Sequence, residues 1–129
     1  MASEIRITGT FEGRKGSIEL PMWSFTLTAD WDNPRYVERN QIISSSGWEA
    51  LDIPADLGSN PLGFIQVQNL DSANYIELGI YVDSNYYDFA KVLAGKTSPP
   101  IPVSLTRTEI FARANTADVE IKFRATAAT

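Results

Sequence analysis

The 129-residue chain contains no cysteine and no histidine. Without these residues there is no disulfide framework, no thiol nucleophile and no Ser-His-Asp triad. Ordinary zinc sites, which depend on the same two residue types, are excluded as well. Proton transfer near neutral pH is left to carboxylates, Lys and Tyr. We therefore expect a protein that is not an enzyme and that uses no cofactor and no metal.

Positive charge is also scarce, since eleven Lys and Arg stand against sixteen Asp and Glu, a net charge of −5. This balance argues against phosphate-driven binding to nucleic acid and against attraction to an anionic membrane. No basic segment followed by an apolar stretch is visible at the N-terminus, and no run approaches about 18 apolar residues. The sequence predicts neither a signal peptide nor a membrane-spanning helix.

Alternation of apolar and polar residues is the dominant pattern, and it indicates β-strands with one buried face. The clearest case lies near the C-terminus, where Val119, Ile121 and Phe123 alternate with charged residues. Nine or ten short strands at spacings of roughly 8–12 residues are typical of a sandwich or barrel. We predict a single all-β domain over residues 1–129, a two-sheet antiparallel β-sandwich that is jelly-roll-like.

The segment 17–28 alternates with a change of phase at Pro21. Ile18 and Leu20 occupy even positions before the change, whereas Trp23 and Phe25 occupy odd positions after it. A bulge or bend at Pro21 would re-aim the strand. Four aromatic residues fall on predicted core faces, namely Trp23, Phe25, Phe64 and Phe123.

Turn sequences and prolines predict how the strands are joined. The strands before and after residues 70–74 are predicted to form a hairpin, whose outer face carries Gln66, Gln68, Asn69, Tyr75 and Glu77. Residues 114–118 are interpreted as the last hairpin. The N-terminal strand at 5–11 and the proline-flanked segment 99–102 are candidates for sheet edges.

Acidic clusters offer weak motifs for metal or acid–base chemistry. The stretch Asp-Trp-Asp-Asn at 30–33 lacks the further oxygen ligands and the spaced glycine of a calcium loop, so we interpret it as a solvated turn. The pairs Asp52/Asp56 and Asp83/Asp88 have the residue types of a glycosidase, but the sequence does not place them across a cleft.

Aromatic and arginine residues outside the core faces are our candidates for a protein interface, because such residues dominate binding hot spots. They are Trp31, Arg35, Tyr36, Trp48, Tyr86 and Tyr87. Exposed aromatic side chains on a β-sandwich also suit sugar stacking in a carbohydrate-binding module. In that case Trp31, Trp48 or the pair Tyr86–Tyr87 should be coplanar and exposed on one face.

The second half of the chain, residues 63–125, carries a series of short motifs. They are Asn-Leu-Asp-x-x-Asn-Tyr-Ile at 69–76, Leu-Ala-Gly at 93–95, a proline-flanked strand at 100–102 and Ala-Arg-Ala-Asn-Thr-Ala at 112–117. This series resembles small β-sandwich proteins of tailed-bacteriophage virions. Several of those are capsid decoration (cement) proteins or minor head and tail components. The motifs consist of turn and core residues and bring no catalytic residue with them.

The resemblance implies a non-enzymatic structural protein of a phage particle. The most specific expectation is a decoration protein that binds the major capsid protein and stabilises the shell, on the capsid exterior after synthesis in the host cytoplasm. We expect a homo-oligomer, a trimer before a dimer. The alternatives are a small neck or tail component that binds other virion proteins, and a carbohydrate-binding module of a receptor-binding assembly.

Overall fold

The computed structural model describes residues 4–30, 35–57, 62–106 and 108–127. Its elements in chain order are β1 (Glu4–Lys15), β2 (Ile18–Asp30), β3 (Tyr36–Ile43), β4 (Glu49–Ala50), a 3₁₀ turn (Ala55–Leu57), β5 (Leu62–Asn69), β6 (Ile76–Val82), β7 (Asn85–Val92), β8 (Ile101–Pro102), β9 (Ile110–Ala114) and β10 (Val119–Ala127). The chain divides into two compact units, one containing β1 and β2 and the other containing β3 to β10. No helix in the described ranges is long and apolar enough to cross a membrane.

The first unit is a two-stranded antiparallel hairpin, which we call the ribbon. A two-residue turn at Gly16 and Ser17 joins its strands, and Gly16 has a φ of 60°. Glycine suits the first central position of such a turn, because it has no Cβ to clash in the left-handed region. The ribbon is long, with strands of 12 and 13 residues.

A β-bulge interrupts the ribbon at the predicted place. Phe11 pairs with Trp23, but Gly13 pairs with Leu20, so β2 contributes one extra residue beside Pro21. Because side chains alternate with period two, the extra residue returns the even-numbered apolar positions to the face that Trp23 occupies. The bulge predicted from the change of phase is therefore confirmed.

The ribbon has one apolar face and one polar face. The apolar face carries Ile5, Ile7, Gly9, Phe11, Gly13, Ile18, Leu20, Trp23, Phe25, Leu27 and Ala29, and beside the turn it also carries Lys15, opposite Ile18. The opposite face carries charged residues and threonine, with an ion pair between Arg6 and Glu4 at 3.3 Å and another between Arg14 and Glu19 at 3.5 Å. Such a division is typical of a sheet that is covered on one side only.

The second unit contains two four-stranded antiparallel sheets. The first sheet has the order β3-β10-β5-β8 and the second has the order β4-β9-β6-β7. Numbered from one to eight along this unit, the orders are 1-8-3-6 and 2-7-4-5, which is the jelly-roll topology. The predicted all-β, two-sheet antiparallel sandwich of jelly-roll type is confirmed. The predicted edge segment near Pro102 contains β8, which lies at the end of its sheet.

Alternating residues of the two sheets supply the core of the jelly roll. Along β10 the burial alternates strictly from Val119 to Ala125, and Phe123 is 1% exposed. In the second sheet Ile76, Leu78 and Ile110 are fully buried. The alternation predicted for the C-terminal strand is confirmed, because each of its charged residues points away from the core.

Two connections predicted as hairpins instead cross from one sheet to the other. β5 belongs to the first sheet and β6 to the second, and β9 and β10 are separated in the same way. The hairpin predictions are wrong because a turn sequence fixes a change of direction but does not choose the strand's hydrogen-bonded neighbour. Gln66 and Gln68 therefore lie on a different sheet from Glu77. The prediction that Asn69 lies on an outer face is also wrong, because its side chain is 1% exposed.

A buried amide ties the sheets together at one of these crossings. The side chain of Asn69, which is 1% exposed, donates hydrogen bonds to the carbonyl oxygens of Asn74 at 2.9 Å and Val92 at 3.1 Å. Its own oxygen accepts a hydrogen bond from the backbone N–H of Asp71 at 2.9 Å. Because Asn69 ends β5 and Val92 ends β7, these bonds join one strand of each sheet.

Candidate functional site

The residues predicted to form an interface do not lie on one surface. Arg35 and Tyr36 lie at the start of β3 in the first sheet, and Tyr36 is 58% exposed. Tyr86 and Tyr87 belong to β7 of the second sheet, where they point to opposite faces because they are consecutive. Trp31 lies outside the described residues. Among the predicted residues that the structure describes, Trp48 and Tyr86 are brought together by stacked rings.

An aromatic cluster surrounds this pair on the outer face of the second sheet. The rings of Trp48 and Tyr86 have centroids 5.7 Å apart and are parallel to within 8°. Tyr86 also contacts Tyr81 at 4.7 Å and the edge of Phe111 at 5.1 Å. Such offset and edge-on contacts are the favoured geometries of aromatic pairs. We define the aromatic cluster as Trp48, Tyr81, Tyr86 and Phe111.

Strand register explains how the sequence assembles this cluster. Tyr81 and Tyr86 are directly opposed across the hairpin of β6 and β7. Phe111 on β9 is paired with Gly79 on β6. Phe111 escaped the sequence analysis, because the pairing of β9 with β6 joins strands distant in sequence. The signal for the hairpin pair was present, since two tyrosines flank the short turn at 83–84 symmetrically.

Cationic side chains cover part of the aromatic surface. The guanidinium of Arg113 lies over the Trp48 ring at 4.6 Å from its centroid and also pairs with Glu77 at 3.4 Å. The ammonium of Lys91 lies over the Tyr75 ring at 4.3 Å. Cation–π contacts of this kind stabilise exposed aromatics by about 0.5–1 kcal/mol each. They also occupy ring surface that a stacking ligand would need.

The outer face of the first sheet is polar and carries one shallow depression of about 170 Å³. Glu38 accepts two hydrogen bonds from Arg124, the shorter at 2.7 Å, and pairs with Lys122 at 3.8 Å. The hydrogen bond from Arg124, followed by the charge of Lys122, lowers the pKa of the Glu38 carboxyl. The volume is below the roughly 300 Å³ of ordinary ligand pockets, and these charges are already satisfied by one another.

The ribbon leaves its apolar face open. Six large side chains on this face are 39–77% exposed, namely Phe11, Ile18, Leu20, Trp23, Phe25 and Leu27. The prediction that Trp23 and Phe25 are core residues is wrong, because they are 77% and 45% exposed. Alternation identified a face that avoids water, but it does not say what covers that face. Phe123 is buried as predicted.

Within the ribbon, Phe25 lies across Gly9 of the opposite strand. A Cβ at Gly9 would stand 2.6 Å from the Cζ atom of the Phe25 ring. The ring therefore fills the space that a side chain at position 9 would occupy, and it flattens the middle of the apolar face. At one end of this flattened stretch the directly opposed Phe11 and Trp23 stand exposed.

Groups for metal or acid–base chemistry are not assembled in the described ranges of the chain. No set of three or more Asp or Glu residues there could hold a metal ion. The Asp52 carboxylate is paired with Arg39 at 2.8 Å. The acidic stretch at 31–33 lies outside the described residues, and so does the side chain of Asp56.

Comparison with known proteins adds no relative to these observations. No protein-family model, no curated protein and no solved structure matches the chain.

Proposed function

We propose that the protein is a non-enzymatic structural subunit of a protein assembly. In its most specific form, it is a decoration protein of a tailed-phage head that binds the major capsid protein. The apolar face of the ribbon carries this proposal. Its six exposed large side chains present roughly 700 Å² of surface, more than the few hundred Å² of apolar patch on an ordinary monomer.

The physical cost of such a face explains why it points to an assembly. An isolated two-stranded hairpin is marginally stable in water unless further strands or a second layer of structure cover its apolar side. Trp23 and Phe11 are also the residue types that form the centre of interfaces, where a few aromatic anchors contribute most of the binding energy. A subunit that works among other protein chains gains that cover from its neighbours.

The remaining features support the capsid form of the proposal. The jelly roll is an architecture shared by viral capsid proteins and by lectins, so the fold alone leaves the function open. The motifs of residues 63–125 resemble phage virion proteins, and this resemblance favours a capsid-associated protein over a lectin. A decoration protein needs surfaces for the shell and for its own copies, and repeated weak contacts on a symmetric shell add up through avidity.

The proposal is tested by binding the purified chain to phage heads and, separately, to detached tails. Saturable binding to heads at hundreds of copies per particle is the expected result. The double variant Phe11→Ser with Trp23→Ser should lower head occupancy. The matched control is Ile42→Ser, because Ile42 is 65% exposed but lies in the jelly roll rather than the ribbon. Binding to tails alone would replace the head by the neck or tail, and binding to neither would refute the proposal.

A second candidate, carbohydrate binding, is favoured by the parallel rings of Trp48 and Tyr86. Sugar rings stack on aromatic faces, although these two rings, parallel to within 8°, stack against each other and so use part of that surface. Arg113 over the indole weighs against it, because that cation occupies part of the stacking surface. A glycan-dependent change in tryptophan fluorescence that is lost in Tyr86→Ala and kept in Tyr36→Ala would support this function.

A further inference from the structure

The apolar face of the ribbon sets narrow requirements on whatever covers it. From the pair Ile5–Ala29 to the pair Phe11–Trp23, this face contains no charged residue and no hydrogen-bonding side chain other than the Trp23 indole N–H. A polar or charged partner surface would be desolvated there without compensation. The partner surface must therefore be apolar along the stretch from Ile5–Ala29 to Phe11–Trp23, whereas Lys15 lies at the turn end of the face.

Charge is distributed so that two ribbons do not repel each other strongly. Residues 4–30 contain three Lys and Arg and four Asp and Glu, a net charge of −1 out of the chain's −5. Like-charge repulsion between copies is therefore concentrated in the jelly roll. The low positive charge of the ribbon also disfavours an anionic lipid surface, which attracts clusters of Lys and Arg.

We infer that the apolar face of the ribbon packs against the same face of a second copy of this chain, related by a twofold axis. The inference rests on the proposed function, since it names the neighbour that covers the ribbon within the assembly. A surface of this composition is self-complementary, as a twofold interface requires. Two such faces bury roughly 1,400 Å² together, which lies within the 1,200–2,000 Å² of standard stable interfaces.

The packed pair has a familiar physical form. Two twisted two-stranded layers, about 10 Å apart, make a small β-sandwich with aromatic and aliphatic side chains between the layers. Phe11 and Trp23 of each ribbon supply the large anchors. The bulge beside Pro21 matters here, because it keeps Ile18 and Leu20 on the buried side and thereby extends the interface towards the turn.

Sedimentation equilibrium of the full chain tests the inference without any phage component. The expected mass is that of two chains, and the double variant Phe11→Ser with Trp23→Ser should weaken self-association by roughly 100-fold or more. Ile42→Ser should leave it unchanged. Circular dichroism and thermal unfolding of each variant check that the jelly roll stays folded. A monomeric or trimeric wild-type chain would overturn the pairwise arrangement, and so would dimers that persist in the double variant.

The absence of cysteine allows a second test on an intact apolar face. Thr26→Cys places a single thiol on the polar face of the ribbon, where a spin label does not touch the interface. A single, well-defined distance between labels of two copies is expected by double electron–electron resonance. Adding Phe11→Ser and Trp23→Ser to the labelled chain should abolish this distance. A labelled Thr26→Cys chain without a defined distance between copies would contradict packing through the ribbon.

The two proposals fail in different ways. A chain that forms ribbon-dependent dimers but binds neither heads nor tails keeps the inference and loses the capsid function. A chain that is monomeric in solution, yet binds heads through Phe11 and Trp23, keeps the function and assigns the ribbon to the capsid protein instead.

Discussion

The indole of Trp48 lies directly against the backbone of Gly79. A Cβ at position 79 would stand 2.7 Å from the Cζ3 atom of that ring and 2.9 Å from the carbonyl oxygen of Tyr87. Atoms do not approach so closely in folded proteins, so Trp48 reaches the sheet only because position 79 has no side chain. The aromatic cluster on the outer face of the second sheet is therefore built around a glycine.

Gly79→Ala is expected to lower the free energy of unfolding by about 1–3 kcal/mol, the usual cost of overpacking a filled site. The ring of Trp48 has room to shift, but the carbonyl oxygen of Tyr87 is backbone and has little. Trp48→Ala in the same chain should therefore recover only part of the loss. Urea denaturation measures both. The matched control is Gly47→Ala, where the added methyl group meets nothing within 4 Å. An equal loss at both glycines would contradict this explanation.

The turn between β6 and β7 places two non-glycine residues in the left-handed region, with φ of 50° at Asp83 and 65° at Ser84. Because that region costs L-residues about 1–2 kcal/mol, Ser84→Gly is expected to raise stability by about 0.5–1 kcal/mol. Gly95→Ala provides the opposite change, since Gly95 has a φ of 71° with open space around it. It should destabilise through the backbone alone. A shift of the thermal midpoint in the same direction for both variants would refute this account.

The buried side chain of Asn69 makes three hydrogen bonds across the crossing between β5 and β6. Asn69→Ala removes them and leaves the backbone groups of Asp71 and Val92 without these partners, so we expect a loss of about 2–4 kcal/mol. Equilibrium unfolding in urea measures this loss. Gln68→Ala, a truncation at the exposed neighbouring position, is the control and should change stability by less than about 0.5 kcal/mol.

Two loop carboxylates make the jelly roll sensitive to acid. The backbone N–H groups of Asn74 and Ala73 lower the pKa of Asp71 below its usual 3.8, and the backbone N–H and hydroxyl of Thr106 lower the pKa of Glu109 below its usual 4.5. A lowered pKa in the folded state adds stability above the unfolded value, and this stability is lost as pH falls through the folded value.

The urea concentration at the unfolding midpoint should therefore decrease as the pH is lowered from about 5 to about 2. Asp71→Asn should reduce this dependence on pH. The control Glu120→Gln changes an exposed carboxylate on β10 and should leave the slope nearly intact. A pH profile that is the same in the wild-type chain and in Asp71→Asn would show that these backbone hydrogen bonds do not stabilise the carboxylate.

Local patterns were sufficient to predict the strands but not their partners. Alternation around Phe123 and the change of phase at Pro21 depend only on neighbours along the chain, and both predictions are confirmed. After Asn69 and Ala114 the chain crosses to the other sheet. Contacts between residues distant in sequence decide which sheet the next strand joins. Strand β4 contains only Glu49 and Ala50, and the buried residues Leu51 and Ile53 that follow it lie in loop next to the sheets.

The candidate site was predictable only in part, for the same physical reason. Trp48 and Tyr86 were selected by residue type, whereas Phe111 joins them through a pairing that the sequence does not display. Trp23 was assigned to the core because its strand is amphipathic. Amphipathicity indicates that a face is to be covered, but it does not identify what covers it.

The pairing of β3 with β10 has a consequence for the order in which the chain folds. β10 is the only hydrogen-bonded neighbour of β3 among the described strands, and their paired residues lie between 76 (Ile43 and Val119) and 90 (Tyr36 and Thr126) positions apart. At roughly 5–20 residues per second, a ribosome needs about 4–18 s to supply that partner. The ribbon hairpin, by contrast, has all its partners within 26 residues and forms in about 1–10 μs. A newly made chain thus carries a completed ribbon for seconds before its jelly roll can close.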